Sequence, residues 1–598
     1  MLSNLTKLNG ISSKFSGILR NFTSKIFIIG GNAGGCSAGA KIRRTSEDVD
    51  ITILEKSQFL SWANCGLPYH LGGTIPNRDN LLLSTAEKFW EQMRIDVKTG
   101  NEAIQVMCDE NKIKVYDHNV KKSVIYDYDK LIISPGSYSF APPIKNIYAP
   151  NIFSLKTIND LDKIMFFLSK HSGIKKVVIC GAGAIGLESA ENFMKLGCEV
   201  TIVDMEENIL PRALDKDFAK YYQAFLEKKG LKFLMGNAAS SFELGKNGYA
   251  NKVVLNDGQE IDFDLALVSF GSRPNTRFLA NSGLDIDKQG FLNVDEHLQT
   301  NYPNVFGCGD IVLCEYLLTK NKAPNFLAGP ANKMGRIAGY NSVAKKEDRL
   351  KFKPILGTFA VEAFGIGCAK TGLNETECKK NNYSYEVAVG FPLNHVEYMP
   401  GAFSVASKLI YEKGTGKILG GQFCGPDGVD KRNDVIATAI TGGMTVFDFE
   451  QIDLTYCPQY GAPKDVVCQM SMIACDSLRG LSKNISYKDF LNKVEELGQE
   501  NVQVVDVMTP KEYEFLHFPN SINIDYENNF REDINKLDPN MPTFIYCKAG
   551  WRGYRAYRIL KANGFKNLYN ITGGIRFMTQ DKAEDCLNQD PNFKFDFK

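Results

Sequence analysis

The stretch KIFIIGGNAGG, residues 25–35, decides the fold of the first part of the chain. Its apolar residues 25–29 predict a buried strand, and the glycines lead into small residues at 37–40 that suit a helix start. About 20 residues beyond these glycines, a second apolar run ends in an acid, as in units that bind a dinucleotide. The glycines let the turn approach a pyrophosphate at the helix N-terminus, and the acid accepts hydrogen bonds from ribose hydroxyls. The predicted contacts are Gly30, Gly31, Ala33, Gly34, Gly35 and Glu55.

A second unit of the same kind occupies residues 176–204. An apolar run precedes the sequence GAGAIG at 181–186, and the next apolar run, 200–203, ends in an acid. One glycine motif alone also occurs in turns that bind nothing, but two complete units predict two bound dinucleotides. The predicted contacts of this second unit are Gly181, Gly183, Gly186 and Asp204.

The segment NVFGCGD, residues 304–310, indicates which dinucleotide each unit binds. It resembles the motif of two-dinucleotide flavoproteins in which an aspartate, here Asp310, holds the ribityl chain of FAD. The first unit and this segment then form one FAD domain, interrupted by the second unit, which binds the nicotinamide nucleotide. Asp204 favours NADH because a carboxylate repels the 2′-phosphate of NADPH. Residues 205–207 offer no arginine for that phosphate, and NADPH is kept as the alternative.

The amino-acid composition argues against a nucleic-acid partner, a membrane span and a metal site. Lys and Arg number 70 against 69 Asp and Glu in 598 residues, which gives no support for a nucleic-acid partner. No apolar run approaches the roughly 18 residues of a membrane span. The 15 cysteines are scattered without paired C-x-x-C motifs, so no metal site is expected. Most of them suit buried positions in a protein of a reducing compartment.

Residues 1–24 contain no acid and carry Lys7, Lys14 and Arg20 among serines, threonines and apolar residues. This composition resembles an organelle transit peptide, with a disordered basic tail as the alternative. The predicted location is therefore mitochondrial or cytoplasmic.

Cys65 lies in SWANCGLPYH, residues 61–70, shortly after the acid of the first unit. Flavin disulfide reductases of the glutathione-reductase type use two cysteines separated by four residues, and His70 stands at the second position here. One thiol must therefore work with the flavin and an external sulfur or oxygen partner. The attacking species is a thiolate, so we expect a positive or helix-start environment that lowers the thiol pKa. The alternatives are a packed core cysteine and, for His70, a packing role.

The chain is similar to the single-cysteine group of these flavoproteins, which contains coenzyme A disulfide reductases, NADH oxidases and peroxidases, and NADH-dependent persulfide reductases. The resemblance spans about residues 25–475 and implies a two-fold dimer in which the third domain of each subunit caps the partner's active site. The segments that carry it are 30–35, 61–73, 131–136, 181–186, 304–310, 327–336, 394–401, 428–432 and 453–460.

In the coenzyme A branch, tyrosines of this cap approach the substrate sulfur. The matching residues are Tyr398 and Tyr456, with Tyr460 as a third candidate, and a phenol can protonate a departing thiolate. Cys457 and Gln459 depart from the family pattern of small residues or proline, which leaves the shape of this loop open.

The same resemblance implies contacts with coenzyme A. Ser61 and Asn64 match positions that contact the pantetheine arm, and Arg44 matches a position near the 3′-phosphate. The alternative for Arg44 is an ordinary solvated surface charge.

Cys547 opens a loop CKAGWR that ends at Arg552 and follows an apolar run at 543–546. This Cys-x4-Arg loop resembles the active-site loop of rhodaneses, whose backbone N–H groups stabilise a thiolate or persulfide. Phosphatases with a related loop need one more residue, so the loop favours sulfur transfer. Other residues that match rhodanese positions are Asp506, Glu514, His517, Gly573 and Gly574.

The predicted fold class is α/β, with two Rossmann-like dinucleotide-binding domains, an α+β dimerisation domain and a C-terminal α/β rhodanese-like domain. The predicted boundaries are 1–24 for a leader or tail, 25–145 and 276–345 for the two parts of the FAD-binding domain, 146–275 for the NAD(P)H-binding domain, 350–480 for the dimerisation domain and 488–598 for the rhodanese domain.

These features predict an FAD-dependent NAD(P)H oxidoreductase that reduces coenzyme A disulfide, or coenzyme A persulfide or polysulfide, through Cys65. Its expected partners are the small-molecule substrate and a second copy of the chain. One alternative is an NADH oxidase or peroxidase that cycles the cysteine through a sulfenic acid. A non-enzymatic alternative is a flavoprotein redox sensor. The fused rhodanese domain favours sulfur over oxygen, and simple sensing does not require a cysteine at the flavin.

Overall fold

The computed structural model describes residues 24–578, so the predicted leader at 1–24 lies, apart from its last residue, outside the described residues. Within this range, none of the helices combines the length and apolar character that a membrane crossing requires. The described chain forms four groups of elements, each built around its own sheet.

The first group contains a five-stranded parallel sheet that carries the first glycine turn. In spatial order its strands are Val305–Gly307, Lys130–Ile133, Ser24–Ile29, Val49–Glu55 and Asp96–Thr99. Its helices are Ala33–Thr45, Leu67–Leu71, Ala86–Met93 and Ala328–Val343. Its smaller strands are Asn101–Met107, Lys112–Asp117, Lys122–Asp127, Ser137–Ser139, Cys314–Glu315 and Lys322–Ala323.

Two helices of this group pack without side chains between them. A Cβ atom on Gly335 would lie 2.1 Å from the carbonyl oxygen of Gly34, and one on Gly339 would lie 2.5 Å from that of Ala38. Only glycine permits this approach, which brings the helix Ala328–Val343 directly against the helix of the glycine turn.

The second group repeats this arrangement around the second glycine turn. In spatial order its parallel strands are Lys232–Met235, Glu199–Asp204, Lys176–Cys180, Leu265–Val268 and Ile152–Phe153. Its helices are Ile158–Lys170, Ala184–Lys195 and Lys216–Lys228. Its antiparallel strands are Ala239–Leu244, Ala250–Leu255 and Glu260–Asp262, and Ser272–Pro274 pairs with a strand of the first group.

The third group is an antiparallel five-stranded sheet with helices packed against it, as expected for an α+β domain. In spatial order its strands are Phe359–Ala363, Ile366–Gly372, Ile418–Gly425, Ala406–Glu412 and Tyr385–Gly390. Its helices are Glu375–Lys380, Val429–Gly442, Val446–Phe449 and Val466–Leu478.

The fourth group is a parallel sheet covered by helices. In spatial order its strands are Asn484–Ile485, Leu568–Ile571, Thr543–Tyr546, Gln503–Asp506 and Ile522–Asn523. Its helices are Tyr487–Leu497, Pro510–Phe515, Phe530–Asp533, Trp551–Ala562 and Gly574–Met578.

A buried lysine joins the second and third groups. The Lys408 ammonium contacts carboxylates of Asp217 at 2.8 Å, Asp215 at 3.2 Å and Glu375 at 2.6 Å. Three acids converge closely enough to hold a cation, and the lysine supplies that charge. The contact fixes the nucleotide-binding unit against the antiparallel sheet.

The fourth group docks on the second and third groups through the segment that follows its last strand. The Thr572 hydroxyl donates to the carbonyl of Val389 at 3.0 Å and accepts from its N–H at 3.1 Å. The Phe577 ring is buried, with Phe218 and Phe391 rings 6.1 and 6.2 Å away. Because apolar burial and paired hydrogen bonds combine here, this domain is seated on the rest of the chain.

Candidate active site

The first glycine turn has no room for side chains. Gly30 has φ +102°, and a Cβ atom there would lie 2.1 Å from the carbonyl oxygen of Ser134. A Cβ atom on Gly35 would lie 1.8 Å from the Gly30 oxygen. The backbone therefore passes close to the helix start, as a bound pyrophosphate requires.

Glu55 lies buried at the end of the second strand, where the predicted ribose contact belongs. Its carboxylate accepts from the N–H groups of Gly31 and Ser57, each at 2.7 Å. Burial raises the pKa of Glu55, and these two N–H groups oppose that shift. The acid is thus tied to the glycine turn, which fits a dinucleotide held across both.

The second glycine turn has the same construction. Gly181 has φ +125°, and a Cβ atom on Gly186 would lie 2.1 Å from its oxygen. The Asp204 carboxylate accepts from the N–H of Ala182 at 2.6 Å and of Glu206 at 2.9 Å. A Cβ atom on Gly183 would meet nothing within 4 Å, so open space lies beside this turn. These residues fit a nicotinamide nucleotide.

Asp310 lies in a short turn, Gly309–Ile311, beside the first sheet, and the hydroxyl of Ser137 donates to its carboxylate. Lys156 lies near it, and its ammonium donates to the Ser272 hydroxyl at 3.1 Å. Burial lowers the pKa of Lys156, and the charge of Asp310 opposes that shift. The predicted ribityl contact and a lysine that the sequence motifs do not indicate thus meet where the two nucleotide units adjoin. This polar pair fits the sugar chain and ring of FAD.

The segment before Cys65 is tied to the first glycine turn. Ser61 has φ +49°, which is unusual for a residue other than glycine, and its N–H donates to the Gly31 carbonyl at 2.7 Å. The Asn64 amide accepts from Asn32 at 2.8 Å and donates to the carbonyl of Lys156 at 3.0 Å. Cys65 follows in an exposed short turn, so its thiol lies beside the predicted flavin contacts.

The surroundings of Cys65 differ from the sequence expectation. Burial raises the pKa of the Cys65 thiol, the charge of Glu188 raises it further, and only the cysteine's own backbone N–H lowers it. A positive environment that lowers this pKa is therefore not supplied by the polypeptide alone. His70 binds the carbonyl oxygen of Ile75 at 2.7 Å, which identifies it as a residue that stabilises the local fold.

Glu188 is a functional candidate that the sequence motifs do not reveal. It lies on the helix Ala184–Lys195, and the Tyr69 hydroxyl donates to its carboxylate at 3.2 Å. Burial raises the Glu188 pKa to about 7, Tyr69 opposes the shift and Glu191 adds to it. A carboxyl that titrates near neutral pH therefore acts on the Cys65 thiol.

Two of the predicted capping tyrosines meet each other. The hydroxyl oxygens of Tyr398 and Tyr456 are 3.3 Å apart, and this hydrogen bond raises the pKa of Tyr456. Both side chains are exposed, as is that of Tyr460. Among the described residues, no hydrogen bond joins any of the three to Cys65 of the same chain.

Arg432 holds together the two loops that carry these tyrosines. Its buried guanidinium donates to the carbonyl of Asn394 at 2.6 Å, to the Asp465 carboxylate at 2.9 Å and to the Tyr460 carbonyl at 3.5 Å. The stretch 428–432 belongs to the family pattern, but its anchoring role becomes visible only in the structure. Cys457, a departure from that pattern, donates to the Gln459 side chain at 3.1 Å and so braces the loop.

Arg44, the predicted 3′-phosphate contact, lies in the last turn of the helix Ala33–Thr45. Its side chain is exposed and makes no ion pair within residues 24–578, whereas the neighbouring Arg43 is buried and donates to the Met93 carbonyl at 2.7 Å. Arg44 is therefore available to an anionic ligand.

The second predicted cysteine lies in a tightly folded loop. Cys547 is 2% exposed, and the N–H of Gly550 donates to its sulfur at 3.1 Å. The N–H of Ile575 donates to the Cys547 carbonyl at 2.8 Å, and a Cβ atom on Gly574 would lie 2.2 Å from that oxygen. The loop thus presents one backbone N–H, that of Gly550, to the sulfur, which suits a thiolate or persulfide.

Arg552, at the end of this loop, is held by an acid that the sequence motifs do not indicate. It donates to both carboxylate oxygens of Glu512, at 2.7 and 2.8 Å. Burial acts to raise the Glu512 pKa, but Arg552 holds it at about 2. The motif residues Glu514 and His517 are both exposed. Glu512 is held in place for Arg552 by a capping box with Thr509 at the start of the helix Pro510–Phe515. The sequence signal for this arrangement is the Thr-x-x-Glu pattern that begins at Thr509.

Asp506 is the remaining motif residue in this domain. It is buried, accepts from the N–H of Met508 at 2.7 Å, and burial raises its pKa to about 6. A buried, hydrogen-bonded carboxylate of this kind indicates that Asp506 contributes to the stability of the local fold.

Comparisons with known proteins agree with this geometry. Residues 24–333 match the profile of the pyridine nucleotide-disulphide oxidoreductases, residues 361–461 match the dimerisation domain of the same family, and residues 492–578 match the rhodanese-like domain. The coenzyme A disulfide reductase of Staphylococcus aureus (strain bovine RF122 / ET3-1) is 30% identical over 444 residues, which cover 74% of this chain and 98% of that protein.

Solved structures extend the similarity to the C-terminal domain. Reduced Bacillus anthracis CoADR-RHD superposes with a TM-score of 0.88 at 31% identity, covering 94% of this chain and 99% of that one. The NAD-dependent persulfide reductase from A. fulgidus gives 0.85 at 29% identity, with coverages of 92% and 99%. The predicted fold class, family resemblance and rhodanese domain are confirmed.

Proposed function

We propose, from the premise that this chain belongs to the pyridine nucleotide-disulphide oxidoreductase family, that it reduces the disulfide or persulfide of coenzyme A. FAD and NADH are its cofactors. The observation that carries the proposal is Cys65, whose partner position is taken by His70, a residue already bound to a backbone carbonyl. Without a second thiol in reach along this segment, the disulfide must form with a substrate.

The two nucleotide units divide the cofactors between them. Glu55, Asp310 and Lys156 would hold FAD, and Asp204 would hold the ribose of NADH. When bound, FAD passes to the sulfur site the electron pair that the nicotinamide delivers as a hydride. Because a carboxylate at Asp204 would repel the 2′-phosphate of NADPH, we expect a higher kcat/KM for NADH than for NADPH.

The sulfur chemistry belongs to Cys65. Its thiolate attacks one sulfur of the substrate disulfide, so that a bond forms to the cysteine sulfur and the other half departs as a thiolate. Ser61 and Asn64 lie beside Cys65 and are proposed to position the arm of coenzyme A, with Arg44 on its phosphate. Burial of the thiol and, after it, the charge of Glu188 both disfavour the attacking thiolate by raising the Cys65 pKa.

A homodimer completes the proposed site. The exposed Tyr398–Tyr456 pair makes no bond to Cys65 of its own chain, and the family match covers a dimerisation domain. We propose that the pair caps Cys65 of a second copy and protonates the departing thiolate there. The buried anchor Arg432 supports this proposal because it holds both tyrosine loops in one position.

Cys547 supplies a second sulfur activity. The backbone N–H of Gly550 at its sulfur supports the proposal that Cys547 accepts sulfane sulfur and passes it to a small thiol, whose persulfide is then reduced at Cys65. The acid-free leader at 1–24 supports a mitochondrial or cytoplasmic location.

One experiment tests the choice of acceptor. NADH consumption by the FAD-loaded protein is measured with coenzyme A disulfide, coenzyme A persulfide, polysulfide and oxygen side by side. The proposal predicts the highest kcat/KM with a coenzyme A acceptor. Oxygen as the fastest acceptor would instead support the NADH oxidase alternative.

A further inference from the structure

An arginine on the helix Trp551–Ala562, which begins at the end of the Cys547 loop, has no acidic partner among the described residues. Arg555 is exposed, and its guanidinium carbon lies 4.8 Å from the ring centre of Trp551 and 5.5 Å from that of Tyr526. In the described part of the chain it makes no ion pair, whereas Arg552 on the same helix is held by two carboxylates. Two aromatic rings thus hold a guanidinium whose donors are left for an external anion.

The aromatic side of this feature is equally open. Trp551 is 63% exposed, although a side chain of this size is highly buried on average. It lies in the loop 547–552 and begins the helix Trp551–Ala562, and its exposed ring forms what we call the rim of the loop. An exposed indole beside an unpaired guanidinium suits a planar aromatic group that carries phosphate, because stacking and charge-assisted hydrogen bonds act together.

The reacting sulfur lies much deeper than this rim. Cys547 is only 2% exposed, and its sulfur is turned toward the N–H of Gly550. A bulky thiol cannot reach a sulfur enclosed in this way, whereas a thiol at the end of a slim arm can. A ligand that fits both features carries its thiol on a thin arm, which reaches the recessed sulfur, and a phosphorylated aromatic head, which binds at the exposed rim.

We propose that Trp551, Arg555 and Tyr526 form a binding platform for the phosphorylated aromatic head of the thiol that takes sulfane sulfur from Cys547. This inference rests on the proposed function, in which coenzyme A is the thiol of this class. It gives the rhodanese domain its own site for that thiol, separate from the one beside Cys65.

The transfer is balanced without a further reactant. Thiosulfate, as the sulfane donor, leaves its outer sulfur on the Cys547 thiolate as a persulfide and departs as sulfite. The thiolate of the acceptor then attacks this outer sulfur, a new S–S bond forms in the acceptor persulfide, and the bond to Cys547 breaks. The electron pair of that bond returns to Cys547 as thiolate.

The test uses the full-length FAD-loaded protein with thiosulfate as donor and follows sulfite release. Coenzyme A and cysteamine, which lacks the head, serve as alternative acceptors. Arg555→Gln and Trp551→Leu should each raise the KM for coenzyme A about tenfold, the effect of losing one charge-assisted or stacking contact. For Arg555→Gln, the rate and KM with cysteamine should stay within about twofold, because Arg555 lies outside the loop 547–552 that surrounds the reacting sulfur.

A matched control removes a positive charge from the same helix. Lys561→Gln breaks a bond from the ammonium to the Gly480 carbonyl at 2.8 Å, away from the rim, and should leave the KM for coenzyme A unchanged. The proposal is overturned if neither rim variant raises that KM, if Lys561→Gln raises it equally, if both acceptors are affected alike, or if the KM for thiosulfate rises instead. NADH-driven reduction of coenzyme A disulfide by the same variants tests the proposed function separately and should remain at the wild-type rate.

Discussion

The two reactive cysteines occupy opposite kinds of surroundings. Cys547 is buried in a loop that donates a backbone N–H to its sulfur, and the nearby Arg552 is fixed by a bidentate contact with Glu512. Cys65 is exposed as a residue, but partial burial of its thiol raises the thiol pKa, and the charge of Glu188 raises it further. The Cys547 site is thus completed by one loop and its neighbours. The chemistry of Cys65 depends on groups that converge from separate domains and from bound cofactors.

The largest expected effect comes from replacing one of the two cysteines, because each replacement should disable only its own site. Cys65→Ser should lower NADH-driven reduction of coenzyme A disulfide by roughly a thousandfold or more, because no other thiol replaces the nucleophile. NADH should still bleach the flavin absorbance in a stopped-flow experiment, since hydride transfer precedes the sulfur step. Substantial disulfide turnover by this variant would show that the thiol is misassigned.

The reciprocal change is Cys547→Ala. It should abolish sulfite release from thiosulfate and strongly reduce NADH oxidation when thiosulfate and coenzyme A are supplied together. Reduction of preformed coenzyme A disulfide should be spared, because that reaction needs only the Cys65 site. If both NADH-linked activities are unchanged, the rhodanese domain takes no part in the reductase reaction.

A smaller effect is expected where the Cys547 loop is braced. Glu512→Gln removes the bidentate carboxylate that holds Arg552, leaves only the 3.3 Å contact with Glu527, and should lower sulfur transfer about tenfold. Glu514→Gln, an exposed neighbour two residues away, is the matched control and should have no effect. Equal losses in both variants would contradict the assigned pairing.

The same acid predicts a pH dependence of stability. The Glu512 pKa of about 2 lies below its ordinary value of about 4.3, so the ionised carboxylate stabilises the folded domain above that ordinary value. This contribution is lost as the pH falls from about 4.3 through 2, where the folded state must take up the proton. Unfolding curves of wild type and Glu512→Gln should therefore converge over this window. A constant difference would contradict the pairing.

The smallest effect concerns the carboxyl that faces Cys65. Above pH 7, where Glu188 is ionised, its charge disfavours the Cys65 thiolate. Glu188→Gln should therefore lower the thiol pKa and speed alkylation of Cys65 by up to about tenfold, one pKa unit. Identical pH–rate profiles for wild type and Glu188→Gln would refute the electrostatic role.

The sequence predicts features that lie within one short segment. The two glycine turns can be predicted from the sequence because any other residue there would clash with the backbone, as at Gly30 and Gly186. Partners from distant segments are not readable in this way. Tyr69 and Glu188 are 119 positions apart, and Arg432 joins residues from two loops that only the folded sheet brings together. The expected lowering of the Cys65 pKa was wrong, because burial raises this pKa and the neighbouring charge of Glu188, which raises it further, comes from another domain.

The most direct test of the central claim is the mass of the intact protein after treatment with coenzyme A disulfide. One coenzyme A should be attached per chain, at Cys65 by peptide mapping, and NADH should remove it from the FAD-loaded protein. The adduct should be absent in Cys65→Ser and present in Cys547→Ala. An adduct that maps to another cysteine, or one at Cys65 that NADH does not remove, would contradict the account.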